Sequence, residues 1–115
     1  MKYILLIYGN EASEVKRTPD EGMAMVEEYM AVAQSLRQNG QSIAAERLQP
    51  TSTATTVRVR EGKTLTTDGP FAETKEHLAG FYLIEAKDID EAIGVAVRLP
   101  AVRSGCVEVR PIHAM

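Results

Sequence analysis

Apolar residues along the chain change their spacing from one segment to the next, and the changes mark out the elements. Lys2–Tyr8 (KYILLIY) is apolar on both alternating faces, the pattern of an interior strand covered on each side. Residues 9–17 are polar and read as a loop. Thr18-Pro19-Asp20-Glu21 is a helix start: a threonine cap, proline at the first helical position, and a glutamate placed to reach back to the cap. Met25, Val26, Tyr29, Met30, Ala33 and Leu36 follow at three- and four-residue spacings and predict the buried face of a helix over 20–39. Asn39-Gly40 stops it.

A β-rich stretch comes next. Ser42–Leu48 reads as a strand, broken by Pro50–Ser52; Thr55–Arg60 and Lys63–Thr67 read as a hairpin about Glu61-Gly62. Asp68-Gly69-Pro70 interrupts the chain, and Ala79–Ala86 resumes as an apolar strand. Asp88 and Glu91 repeat the capping pattern ahead of Ile89, Ala92, Ile93, Ala96 and Val97, with Pro100 ending that helix. The last strand is Cys106–Arg110. The order is β-α-β-β-α-β with an additional hairpin strand in the middle, an α+β, ferredoxin-like plan in one domain. Helices on one face of such a sheet leave the other face to be covered, and a second copy packing sheet to sheet is the expected cover.

Composition narrows the function more than the fold. The 115 residues are 44% hydrophobic and 25% charged, with a net charge of −3, ordinary values for one globular domain. An acidic chain without a basic run is not expected to bind nucleic acid. The apolar start is too short for a membrane span or a signal peptide, so no membrane partner is expected. A lone Cys106 cannot form an internal disulfide, which points to a cytoplasmic setting. Neither the cysteine nor His77 and His113 fall in a metal-ligand spacing, so no metal or cofactor is expected. Cys106 reads as a small buried hydrophobe, and Met23, Met25 and Met30 as core rather than ligands.

The densest polar cluster lies between two strands, in Asp68-Gly69-Pro70-Phe71-Ala72-Glu73-Thr74-Lys75-Glu76-His77. Long connections often carry function, and an aspartate with a histidine can move protons near neutral pH. The plainer reading is a turn at Asp68-Gly69 followed by a solvated face.

TDGPFAETKE at 67–76, MKYILLIYG at the start, AGFYLIEAKDIDEAI and GCVEVRPI make the whole chain resemble the YCII-related proteins that carry the DGPF motif. The resemblance implies a ferredoxin-like fold that forms homodimers of the dimeric α/β-barrel type. It also implies a setting alongside extracytoplasmic-function sigma factors, with no settled activity. The His–Asp pair proposed for the YciI-like branch does not carry over: residues 20–39 contain no histidine, and Leu99 precedes Pro100 where the aspartate would stand. A site built on the motif would use Asp68, Phe71, Glu73, Lys75 and Glu76. Its acid–base residues would be Asp68 and His77, the latter added from its chemistry, with Phe71, Glu73, Lys75 and Glu76 holding the ligand. Three readings stand: an enzyme or degenerate enzyme for a small polar or aromatic molecule, a non-catalytic module reporting to a sigma factor, and a purely structural motif.

Overall fold

A computed structural model describes residues 1–114. Its centre is β1 (Lys2–Gly9), whose hydrogen-bonding groups are taken up on both sides, by β5 (His77–Glu85) and by β6 (Cys106–Pro111). β2 (Ser42–Arg47) pairs with β5, giving a four-stranded antiparallel sheet in the order β2-β5-β1-β6, the ferredoxin-like arrangement. Register separates the two faces. Tyr3, Leu5 and Ile7 lie opposite Ile84, Tyr82 and Gly80 on the face covered by helices, while Ile4, Leu6 and Tyr8 lie opposite Leu83, Phe81 and Leu78 on the open face. A shift between Ile7 and Tyr8 leaves Ala79 as the extra residue of a bulge.

Four helices are described: α1 (Glu11–Glu14), α2 (Pro19–Gln38), α3 (Ile89–Ala96) and α4 (Ala101–Ser104). The Thr18 cap is present, its Oγ1 accepting from the Glu21 N–H at 3.2 Å. The Glu21 carboxylate accepts from the Thr18 hydroxyl at 3.1 Å, in place of the cap N–H that the motif predicts. At α3, Asp88 caps the Glu91 N–H at 2.9 Å, and Glu91 also accepts from Gln41 Nε2, joining the helix to the strand edge. Val32, Leu36, Ala92, Val95, Ala96 and Leu99 close the core against Leu5, Tyr82 and Ile84.

The hydrophobic face of α2 is only half used. Its C-terminal half is seated through Val32 and Leu36, whereas Met23 and Met30 are each 64% exposed and Val26 is 46% exposed. The expected core role of Met23 and Met30 therefore fails, because the N-terminal half of α2 stands off the sheet instead of packing onto it. Ala45, on the helix-side face of the edge strand, is exposed for the same reason.

β3 (Thr55–Arg60) and β4 (Lys63–Asp68) pair only with each other and form a separate two-stranded arm. Its tip is the Glu61-Gly62 turn, with φ of 53° and 76°, the conformation a two-residue hairpin needs and glycine supplies without cost. The arm gives the molecule extents of 48 × 43 × 19 Å and a radius of gyration of 16.1 Å, against about 13 Å for a compact chain of this length.

Candidate functional site

The gap under α2 is a cavity of about 530 Å³ at the end of the sheet where β1 finishes and β5 begins. Ile7, Met25, Val26, Tyr29 and Tyr82 form its apolar wall. Polar side chains gather at its mouth: Glu11 and Glu14 from α1, Arg17 from the connection to α2, Arg47 from β2, and His77 from β5. A volume of this order suits a small molecule with an apolar body and a few fixed polar groups.

Local folding explains why these groups meet. Residues 9–17, expected as loop, contain the helical turn α1, because the Asn10 side chain accepts from the Ala12 and Ser13 N–H groups at 2.9 and 3.3 Å. That turn aims Glu11 at the 3₁₀ segment Thr51–Thr53, where its carboxylate accepts from the Thr51 N–H at 2.9 Å and the Thr51 hydroxyl at 3.0 Å. The Thr51 N–H is the main reason the Glu11 carboxyl sits below the usual carboxylate range; burial opposes it, and the Thr51 hydroxyl and nearby His77 assist.

His77 pairs with Gly9 across the β1–β5 ladder. A side chain at Gly9 would come within 2.9 Å of Glu14 Oε1, so the missing side chain is what lets that carboxylate lie over Gly9. Directly opposed residues place their β-carbons about 5 Å apart, so the Glu14 carboxylate occupies the cross-strand position beside His77. Glu11 is near enough for the His77 charge to reach its carboxyl, and Glu14 lies over the neighbouring Gly9, but neither carboxylate forms an ion pair with His77 among the described residues. Deeper in, Tyr82 donates to the Tyr29 carbonyl at 3.3 Å. Burial raises both phenols above their ordinary value, so they remain neutral donors at neutral pH. Arg17 and Arg47 form no ion pair among the described residues.

Of the site residues expected from the sequence, Asp68, Phe71, Glu73, Lys75, Glu76 and His77, only His77 lines the cavity. It is the first residue of β5 rather than part of a solvated connection. Asp68 ends β4 and is exposed, and no hydrogen bond or ion pair joins it to His77 among the described residues. Phe71 is 80% exposed, and Glu73, Lys75 and Glu76 are exposed as well. The carboxylates beside the histidine therefore come from α1, which sequence periodicity does not reveal because the helix is a single turn. Asn10 ahead of an acidic stretch is the signal that could have found it. Cys106, expected to be buried, is exposed on the open sheet face opposite Tyr8, where it donates to Glu76 Oε1 at 3.9 Å. Partial burial first, then Glu76 and Glu108, push its thiol up, so it is not a thiolate at neutral pH. Among the described residues no three His, Cys, Asp or Glu side chains form a metal-ligand set, and no helix is long and apolar enough to cross a membrane.

Glu11→Gln is expected to lower stability by about 1 kcal/mol, the net worth of a charged hydrogen-bonding carboxylate at a partly exposed site. Because the folded state holds this carboxyl below its ordinary value of 4.5, the contribution is present above that pH and disappears as pH falls through the lowered value. Thermal melts of the two chains should differ at neutral pH, and the difference should shrink as pH falls below 4.5 and vanish once it passes the lowered value.

A family model described as "YCII-related domain" matches residues 1–115. An uncharacterised protein of Rhizobium meliloti (strain 1021) is 38% identical over 114 residues, covering 97% of this chain and 92% of its own length.

Proposed function

The chain belongs to the YCII-related family, and from that premise we propose that it is a small dimeric enzyme, active or degenerate, for a small molecule with an aromatic or apolar body and an acidic group. The observation that carries this reading is the cavity under α2, which an apolar wall, His77 and the carboxylates Glu11 and Glu14 line together. The body of the ligand lies against Met25, Tyr29 and Tyr82. Its acidic group meets Arg17 and Arg47, which have charge to spare. His77 transfers the proton, and Glu11 stabilises the imidazolium that forms when it accepts one. The acid–base pair is therefore His77 with Glu11 in place of Asp68. The open sheet face, with Ile4, Leu6, Phe81 and Leu83, packs on the same face of a second copy.

A panel of small aromatic carboxylic acids and phenols, screened by amide NMR shifts on the full chain, tests the assignment. The expected result is saturable shifts centred on Tyr29, Arg17 and His77, abolished by Arg17→Ala. Shifts centred on 68–76 instead would return the site to the loop, and no saturable shift anywhere would remove the small-molecule reading.

A further inference from the structure

The Asp68-Gly69-Pro70-Phe71 segment and the arm it roots take no part in the cavity, yet they leave Val57, Val59, Leu65 and Phe71 exposed. The accessible surface is 8169 Å², whereas a compact monomer of 12.6 kDa has about 6,200 Å². The excess, roughly 2,000 Å², is what each partner gives up in an extensive permanent interface. The arm is poorly supported by itself. A lone two-stranded ribbon is marginal in water, Arg60 faces Lys63 across the ladder, and like charges opposed in this way repel. Val57 and Val59, on one side of the ribbon, are 60% and 59% exposed.

The root is built to hold a direction. Gly69, at φ +99°, donates its N–H to the Ala54 carbonyl at 2.7 Å, and the Thr56 hydroxyl donates to the Gly69 carbonyl at 2.9 Å. Beyond this pinned turn Phe71 stands out into solvent. An exposed aromatic at a fixed root has the character of an interface anchor. The tip carries Arg58, Arg60 and Lys63 against Glu61 alone, on a chain whose net charge is −3, so another copy offers it an acidic surface.

We propose that the β3–β4 arm reaches across to a second copy of this chain, laying its Val57–Val59 side on that copy with Phe71 as the anchor at its root. The inference rests on the sheet-to-sheet dimer and deepens it. The DGPF segment thereby acquires a role in assembly, in which Asp68-Gly69-Pro70 aims the arm and Phe71 fastens it.

Sedimentation equilibrium on the full chain tests this, with Phe71→Ala, the double variant Val57→Asp/Val59→Asp, and Leu6→Asp on the sheet face. The expected result is a wild-type dimer, a dissociation constant raised roughly 30-fold or more by Phe71→Ala, and a folded monomer for the double variant. Because Val57, Val59 and Phe71 are exposed within one chain and Leu6 is half-buried, circular dichroism of the monomers separates loss of docking from loss of folding. On the wild-type chain itself, amide exchange in β3 and β4 should slow as rising concentration drives association. Arm variants that dimerise like wild type while Leu6→Asp does not would overturn the arm and keep the sheet dimer. Arm amides that exchange equally fast in dimer and monomer would also overturn it. A wild-type chain that stays monomeric at every concentration would overturn both.

Discussion

Gly105→Ala is expected to lower stability by roughly 3 kcal/mol, the largest effect of any single methyl group in this fold. Gly105 joins α4 to β6, and its N–H donates to the Ala101 carbonyl at 2.7 Å. A β-carbon there would lie 2.1 Å from the Tyr8 carbonyl oxygen and 3.1 Å from Gly9 Cα. Both atoms belong to the backbone of β1, which is paired on each side and cannot shift without breaking a ladder. The movement must come from β6, starting at the Tyr8–Cys106 pair. For a domain of this size the melting temperature should fall by roughly 12 °C. Gly94→Ala is the control of opposite sign. Nothing lies within 4 Å of its added carbon, and it sits inside α3, so a gain of about 0.5–1 kcal/mol is expected. Equal melting temperatures for the two variants would show that β6 can yield at that point.

The same two glycines show what a sequence discloses and what it does not. Gly94 can be read in advance as a mild weakness, because its cost is a property of the helix it sits in. Gly105 cannot, because its cost comes from a strand nearly a hundred residues earlier. The rest of the fold divides along this line. The caps at Thr18 and Asp88, the Glu61-Gly62 turn and the six strands depend on neighbours within a few residues, and all are found where the spacing puts them. Cys106, Met23 and Met30 depart from expectation because burial depends on which face of the sheet a helix reaches. A hydrophobic face 3.6 residues in period says that a helix can pack, not that its whole length does.

The cavity follows from that distinction. Leu36 and Val32 hold one end of α2 to the sheet, while Pro19 to Met30 lean away over Ala45 and Ile7. The room so made lies beside the end of β1, where the chain turns through Asn10 into α1. Loop composition points to 68–77, where charged residues are adjacent in sequence. The charged residues adjacent in space come from α1, β2 and the first position of β5. His77 belongs to both descriptions, which is why it alone is shared between them.

His77→Ala should therefore be the most costly change to function. Turnover of a compound that the NMR screen selects is expected to fall by about 10²- to 10⁴-fold, the range for removing a positioned acid–base group. Binding should change little, because the apolar wall and the two arginines remain. The fold should persist, since His77 is half-buried and makes no hydrogen bond among the described residues. Glu11→Gln should reproduce part of the loss, and the double variant should be no worse than His77→Ala, since a carboxylate that acts only on the imidazolium has nothing left to stabilise once the ring is gone. Additive losses would mean that Glu11 acts on the substrate directly. The competing assignment, in which Asp68 is the partner of His77, makes Asp68→Asn the costly variant and Glu11→Gln the mild one. Comparing kcat for those two carboxylates decides whether the proton is handled beneath α2 or in the loop.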